Sequence, residues 1–368
     1  MKTRIACLLV VTSLSPDISF SAPRILGWGY NLYQETTIPL GLTNVQAVAA
    51  GRHHSVVLKN DGTVVAWGDN TYKQTNVPSD LTNVIDVKAG DWFSIALTAS
   101  GRVVAWGDNL LGETNVPPGL SNVVTVAAGS SHALALTTDT TVRAWGGNGS
   151  GADITPPSGL NGVKAIAAGW AHSLALRTNG ALVAWGYNNY GQTNIPFGTF
   201  TAIAAGAYHS LAVRADGTVA AWGGQNQYGE IKVPPNLSAV VAVAAGDYWS
   251  IALKSDGSLI GWGLNNAGQT TPPNTVTNVG VISAGCMGEF CLALTRDVDT
   301  SLQLYAGITL RGLVGCSYRI DFVDSVAGGE GWTTLTNLIL PTSPYLFIDT
   351  SSPGRSKRFY RVTFPLSS

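Results

Sequence analysis

Charged side chains are scarce in this chain. They make up 12% of its 368 residues, against 45% hydrophobic residues, and the formal net charge is −1. A chain this apolar does not have the composition of a disordered protein. A net charge close to zero gives no field that would draw the protein to nucleic acid or to an anionic membrane. We therefore expect a folded protein that does not bind nucleic acid and that its net charge does not draw to a membrane.

Long hydrophobic runs are lacking as well, because no run reaches the roughly eighteen residues that a membrane-spanning helix needs. The apolar segment 5–14 follows Lys2 and Arg4 and is too short to span a bilayer. Ser19 and Ser21 are the small residues of a cleavage site before Ala22. The pattern predicts a signal peptide at residues 1–21 and no membrane insertion. The protein would then be exported, to the cell exterior, the periplasm or the cell surface.

Cysteine is the third scarcity, with four residues, one of which (Cys7) lies in the predicted signal peptide. Cys286 and Cys291 could form a disulfide in an oxidising compartment, or could be two small apolar residues, and the sequence leaves both open. Three cysteines without neighbouring histidines do not make a zinc site. The sequence also has no phosphate-binding loop and no Gly-x-Ser-x-Gly nucleophile motif. We predict no metal, no cofactor and no enzymatic activity.

Glycine and tryptophan are plentiful, and they recur with a fixed period. Trp-Gly pairs occur seven times, at spacings of 37 to 40 residues, beginning at Trp28, Trp67, Trp106, Trp145, Trp185, Trp222 and Trp262. Ala-Gly pairs recur in step and end at Gly51, Gly90, Gly129, Gly169, Gly206, Gly246 and Gly285. Seven correlated copies indicate a repeat protein.

Each copy contains three strand-length apolar runs, as in "AAGWAHSLALRTNGALVAWGYNNYGQTNIP" at residues 167–196. Strand A ends at Ala-Gly, strand B begins at a His slot, and strand C ends at Trp-Gly. Asp-Gly or Asn-Gly pairs between B and C are typical of tight hairpins. Such a unit cannot bury its own faces, whereas seven units in a ring can. We predict an all-β fold whose main domain, residues 24–296, is a monomeric seven-bladed β-propeller of three-stranded blades.

The ends of the repeat array complement each other. The first Trp-Gly, in segment 24–29, has no strands A and B before it, and the last A and B have no strand C after them. Segment 24–29 should therefore complete the seventh blade and close the ring.

These motifs resemble the repeat of the regulator-of-chromosome-condensation family, over about three quarters of the chain. The short period is more similar to that of a secreted bacterial propeller that inhibits β-lactamases. The resemblance implies a rigid platform that binds proteins with one face. Family members that act as exchange factors on a nuclear GTPase, as scaffolds or as photoreceptors fit an exported chain poorly.

The period stops after Thr295. The stretches "YRIDF", "GWTTL", "YLFID" and "RFYRVTF" predict a second, small sandwich-like β domain at residues 300–368. It resembles the terminal module of many large secreted bacterial proteins, which implies a role in export, attachment or stability.

Four histidines, His54, His132, His172 and His209, occupy one slot in different blades, so they would not converge on a metal. Phe93 and Trp249 fill the same slot elsewhere, which is typical of a packing position. The Trp-Gly tryptophans are also expected to be structural.

The candidate binding residues lie at positions that differ from one repeat to the next, within a repeat that is otherwise constant. The A–B loops and the residues after Trp-Gly should share one face of the ring. Large aromatic side chains with a few carboxylates are the composition of binding hot spots. The candidates are Tyr30, His53, Asp69, Asp91, Trp92, Asp108, Trp170, Tyr187, Tyr208, Asp247 and Tyr248.

We expect this face to bind a partner protein. Carbohydrate binding is the alternative, since aromatic rings also stack on sugars. A propeller glycosidase or lyase would need a pair of carboxylates, for which Asp69 with Asp108 are equivalent positions on adjacent blades. Enzymatic activity and guanine-nucleotide exchange are the less favoured hypotheses.

Overall fold

The computed structural model describes residues 24–147, 149–151, 154–274, 276, 278–295 and five strands between residues 306 and 363. The predicted signal peptide, Cys7 and Cys316 lie outside these residues. Every regular element in the described part of the chain is a β-strand. None of the described residues forms a helix that is long and apolar enough to cross a membrane. The chain divides into two compact units, of which Ser21–Asp297 holds the repeats.

The repeats form seven antiparallel three-stranded sheets, numbered here as blades. Their strands are β2 (Val45–Ala50), β3 (His54–Lys59) and β4 (Val64–Gly68) in blade 1; β5 (Val84–Ala89), β6 (Phe93–Thr98) and β7 (Val103–Gly107) in blade 2; β8 (Val123–Ala128), β9 (His132–Thr137) and β10 (Val142–Gly146) in blade 3; β11 (Val163–Ala168), β12 (His172–Arg177) and β13 (Leu182–Gly186) in blade 4; β14 (Phe200–Ala205), β15 (His209–Arg214) and β16 (Val219–Gly223) in blade 5; β17 (Val240–Ala245), β18 (Trp249–Lys254) and β19 (Leu259–Gly263) in blade 6; and β20 (Val279–Ala284), β21 (Phe290–Thr295) and β1 (Ile25–Gly29) in blade 7.

Blade 7 closes the ring as predicted. Strand β1 pairs antiparallel with β21, with Trp28 opposite Cys291 and Ile25 opposite Leu294. Residues of blade 7 also share a buried apolar cluster with residues of blade 1, including Leu292 and Val57. Six further clusters join the other neighbouring pairs of blades. The core is thus seven interblade layers, and the all-β, seven-bladed propeller is confirmed.

The alternation of large and small residues along strand B explains how the blades fit. In β12, Leu174 and Leu176 pack against blade 5, whereas Ala175 packs against blade 3. Each blade therefore presents its large side chains to the next blade and its small ones to the previous blade. Burial of each leucine contributes about 1.5–3 kcal/mol. In blade 7, Ala293 occupies the position of Ala175 and Cys291 that of Ser173, and both are buried against blade 6.

The glycines that follow strand A lie near the axis, where backbones approach closely. A Cβ added to Gly129 would lie 2.3 Å from the carbonyl oxygen of Gly169, and one added to Gly285 would lie 2.2 Å from that of Gly51. A side chain at these positions would push neighbouring blades apart. The hairpin glycines have a different reason, since Gly62 and its equivalents have φ near +80°.

The second unit contains the C-terminal strands. They are β22 (Ala306–Leu310), β23 (Ser317–Val323), β24 (Thr333–Ile339), β25 (Tyr345–Asp349) and β26 (Phe359–Thr363). Strands β22 and β25 form one sheet, and β24, β23 and β26 form another in that order. These strands contain all of YRIDF and YLFID, together with residues 333–335 and 359–363 of the other two stretches that the sequence predicts to be extended.

Candidate functional site

The A–B loops and the residues after Trp-Gly lie on one face of the ring, which we call the upper face. The amide of Asp69 donates to the carbonyl of His53 (2.9 Å), and the amide of Tyr187 donates to the carbonyl of Ala171 (2.8 Å). Equivalent bonds join Tyr30 to Glu289, Asp108 to Trp92 and Leu264 to Tyr248. The two kinds of loop are therefore held side by side.

The Trp-Gly tryptophans belong to the frame beneath this face. The indole Nε1 of each one donates to a backbone carbonyl in the connection from the preceding blade, over 2.8–3.0 Å. In several blades the same carbonyl also accepts from a strand B serine, as when Ser210 and Trp222 both donate to Gln192. These bonds fasten each connection onto the next blade.

The repeated histidines are structural as well. The Nε2 atom of His172 lies 3.0 Å from Oγ of Ser210, and His54, His132 and His209 contact serines of the next blade in the same way. Burial lowers the pKa of His172 to about 3, so the imidazole is neutral at ordinary pH. Where Phe93 fills the His slot, Ala133 replaces the serine of the next blade, which keeps the pair apolar.

No metal centre is formed in the part of the chain that the structure describes: no three His, Cys, Asp or Glu side chains are grouped to hold an ion. A cavity of about 550 Å³ lies at the hairpin end of blade 3, lined by residues 117–122 among others. It includes the B–C turn residue Asp139 and lies on the side opposite the upper face. The candidate site is therefore the upper face itself.

Six aromatic side chains on the upper face of blades 4 to 6 contact one another in an unbroken series, the tyrosine cluster: Trp170, Tyr187, Tyr190, Tyr208, Tyr228 and Tyr248. Neighbouring ring centroids are 5.3–6.0 Å apart. Most pairs are tilted or edge-to-face, which is the favourable geometry for aromatic rings. All six side chains remain partly exposed.

A second group lies on blades 7, 1 and 2, the His53 cluster, with members Tyr30, Tyr33, His53, Tyr72 and Trp92. His53 is at its centre, 5.0 Å from Tyr33 and 5.3 Å from Trp92. The guanidinium of Arg52 lies over the Trp92 ring, 5.5 Å from its centroid. In this cluster the chain supplies its own cation to an aromatic face.

The four candidate aspartates have different surroundings. Asp69 is 9% exposed, and its carboxylate accepts bonds from Thr71 and from the amide of Gln74. Asp91 is 3% exposed and accepts from Ser130. Asp108 accepts from the backbone amides of the two residues that follow it. Asp69 and Asp91 are buried, and their hydrogen bonds tie together the loops of the upper face.

Asp247 differs from the other three aspartates in its hydrogen bonding and its pKa. Its Oδ1 atom is buried and has no hydrogen-bond partner among the described residues. Burial, then the nearby charge of Glu289, raises the pKa of Asp247 to about 7, and Arg52 opposes this rise. The charge of Asp247 in turn contributes to the raised pKa values of Tyr208 and Tyr248, whose largest cause is burial.

The two described cysteines are free thiols, so the disulfide that the sequence left open is not formed. Cys286 lies near the axis, where its Sγ contacts Oδ1 of Asp91 at 3.8 Å. Burial, followed by the charge of Asp91, raises the pKa of the Cys286 thiol well above 9.0. The Cys286 thiol is therefore protonated at ordinary pH.

Four aromatic residues of the two clusters were not among the sequence candidates. Tyr33, Tyr72, Tyr190 and Tyr228 lie in the connections, each two residues before a glutamate or glutamine. The side chain of that residue accepts from the tyrosine amide, as Gln192 does from Tyr190 at 3.0 Å. The recurring Tyr-x-Gln and Tyr-x-Glu pattern is the sequence signal that could have identified them.

Solved structures show the same fold. Prp20p from Saccharomyces cerevisiae, described together with its binding to Gsp1p and histones, matches with a TM-score of 0.62 and 22% identity, over 76% of this chain and 93% of that one. Human WBSCR16 matches with a TM-score of 0.60 and 20% identity, over 75% and 99%. The ectodomain of the Arabidopsis thaliana receptor kinase ACR4 matches with a TM-score of 0.57 and 23% identity, over 70% and 95%.

No curated protein sequence matches the chain significantly. The model of the regulator of chromosome condensation (RCC1) repeat matches residues 45–74, 84–113, 123–152, 163–192, 200–230 and 240–269. Each match begins at the first residue of a strand A. The seventh blade, which is assembled from both ends of the array, is outside the matched ranges. With six matched repeats arranged as consecutive blades, this propeller belongs to the RCC1 repeat family.

Proposed function

We propose that this protein is an exported, non-enzymatic binding protein whose upper face holds a partner protein, with the tyrosine cluster at the centre of the contact. The observation that carries this proposal is the unbroken series of six partly exposed aromatic rings. Tyrosine and tryptophan bury a large area at a low cost in side-chain entropy. Such residues dominate the binding energy of protein interfaces.

The frame beneath the rings favours a preformed surface. Trp170 follows a glycine of the axial ring, and its amide donates to the carbonyl of Gly206 in the next blade. Tyr190 and Tyr228 are held through their own amides by Gln192 and Glu230. A surface that is already ordered loses little freedom on binding, which increases affinity.

The surroundings of the carboxylates support a role in binding. The glycosidase hypothesis needs Asp69 and Asp108 as a free pair, but hydrogen bonds within their own loops engage both carboxylate oxygens of Asp69 and one of Asp108. Sugar binding would use the same rings, so the test must separate a glycan from a protein.

The test is a pull-down from secreted and cell-surface material with the full exported chain, residues 22–368, as bait. The variant is Trp170→Ala with Tyr208→Ala and Tyr248→Ala. The matched control is Phe197→Ala, which removes a fully exposed aromatic side chain that belongs to neither cluster. Circular dichroism and thermal melting verify that both variants fold.

We expect the wild type and the Phe197→Ala control to capture the same protein, and the triple variant to lose it. Direct binding of the purified captured protein then establishes the contact. Capture that survives protease treatment of the material but not glycosidase treatment would identify a glycan instead. Equal capture by the triple variant would refute the role of the tyrosine cluster. Recovery of the processed chain from the exported fraction tests the proposed location.

A further inference from the structure

We infer that the tyrosine cluster receives an arginine side chain of the partner, with Asp247 as the counter-charge. This inference rests on the proposed function and specifies its ligand chemistry. It starts from the contrast between the two aromatic clusters of the upper face. Among the described residues, the one cation placed over an aromatic ring is Arg52, above Trp92 in the His53 cluster.

The charged groups around the tyrosine cluster are mainly acidic. Asp247 directly precedes Tyr248 in the A–B loop of blade 6. The groups that act on the Asp247 carboxyl are Glu289, Arg52, Asp91 and Glu230, of which three are acids. Asp247 therefore has a surplus of negative charge around it and a buried oxygen without a donor.

The chemistry of the occupant follows from these surroundings. An apolar side chain laid over the rings would bury Asp247 further without giving it a hydrogen bond, which is costly. An anion would be repelled by Asp247 and Glu289. A cation is attracted by the ring faces and by the carboxylate together.

Arginine fits this combination better than lysine. Its planar guanidinium stacks on an aromatic ring while its N–H groups donate in the plane to a carboxylate. Tyr208 and Tyr248 provide adjacent rings, 5.5 Å apart and tilted by 30°, next to Asp247. The guanidinium would donate to the carboxylate of Asp247, a side chain that is partly exposed.

The test uses the full exported chain and the acetylated, amidated peptide Gly-Ser-Arg-Ser-Gly. A second peptide carries citrulline, which has the shape of arginine without its charge. Binding is followed by NMR of ring-labelled tyrosine at about pH 8. Tyr208→Ala and Asp247→Asn remove the two halves of the site, and Trp92→Ala is the matched control in the other cluster.

We expect the arginine peptide to shift the signals of the tyrosine cluster and to bind about tenfold more tightly than the citrulline peptide. Asp247→Asn and Tyr208→Ala should each weaken binding about tenfold, and Trp92→Ala should leave it unchanged. Acidification to about pH 5.5 should weaken binding to the wild type, because Asp247 then takes up a proton.

Two results would overturn the inference: equal binding of the citrulline peptide, or full binding by Asp247→Asn. If either occurs while the pull-down still depends on the tyrosine cluster, the proposed function stands and the arginine inference falls. If the pull-down does not depend on the cluster, the proposed function falls, whatever the peptide does.

Discussion

Replacing Asp247 by asparagine removes a charge that the fold holds largely out of water, beside other acidic groups. Burial and the charge of Glu289 raise the pKa of this carboxyl from 3.8 to about 7. Between about pH 4 and 7, the Asp247 carboxyl is therefore mostly protonated in the folded protein and mostly ionised in the unfolded chain. The free energy of unfolding contributed by this group falls as the pH rises through that interval.

The magnitude follows from the size of the pKa change. At 1.36 kcal/mol per pKa unit, a rise to about 7 corresponds to about 4 kcal/mol of destabilisation once the carboxylate is charged. Asp247 keeps some contact with solvent, which screens its charge, so we expect about half of this, ~2 kcal/mol. For a domain of this size that is a rise in melting temperature of about 4–8 °C for the variant. Below about pH 4 both side chains are neutral, and the difference should vanish.

The assay is thermal unfolding of the wild type and Asp247→Asn at a series of pH values from about 4 to 8. The buried histidines affect both proteins equally and cancel in the difference. Asp61→Asn is a control of opposite sign, because hydrogen bonds from Thr63 lower the pKa of Asp61 to about 2. A variant no more stable than the wild type at pH 8, or a stability gain independent of pH, would show that Asp247 is solvated or paired.

Three further predictions concern the frame. His172→Ala should lower the free energy of unfolding by about 3 kcal/mol in urea denaturation, because it removes a bond and leaves a void. His172→Phe with Ser210→Ala should recover most of this loss, since it copies the apolar pair of blades 2 and 3. The double variant should also unfold at a lower pH than the wild type. Because the pKa of His172 is about 3 in the folded protein, only the unfolded wild-type chain takes up a proton at this residue between about pH 6.5 and 3, and this uptake favours unfolding. Equal midpoints of acid unfolding for the two proteins would contradict a buried neutral imidazole. The melting temperature of Gly129→Ala should be well below that of Gly119→Ala. The new Cβ at residue 129 would press against a backbone oxygen, whereas residue 119 has a positive φ but open space around it. Similar melting temperatures would argue against tight packing near the axis. Deleting residues 24–29 should abolish the single cooperative melt, as strand β21 loses its outer partner; an unchanged melt would show that closure contributes little.

The repeat made most of the fold predictable. The period of the Trp-Gly and Ala-Gly pairs gave the number of blades, and the hairpin pairs such as Asp61-Gly62 gave the turns. Closure was predictable because segment 24–29 supplies the strand that the last repeat lacks. The hydrogen bonds of the frame were harder to foresee. That Trp222 and Ser210 share the carbonyl of Gln192 depends on how the connection lies across the next blade.

The candidate site was predictable only in outline. Repeat alignment placed Trp170, Tyr208 and Tyr248 on the upper face, because strand order decides at which end a loop emerges. It missed Tyr190 and Tyr228, which approach from the connections and join the series only where blades meet. Contact between such loops is a property of the ring and of no single repeat.

Asp91 and Asp247 separate what the sequence predicts from what only the tertiary structure decides. Both follow the axial glycine of their repeats, and the sequence by itself determined that both lie in A–B loops of a closed propeller. Their neighbours come from other blades: Asp91 accepts from Ser130 and contacts Cys286, which is 195 residues away, whereas Oδ1 of Asp247 has no donor. The tertiary structure alone decided which carboxylate has a hydrogen-bond donor and which keeps a buried oxygen without one. The physical reason is that burial and hydrogen bonding depend on residues brought together by ring closure, and these residues are far apart in the chain.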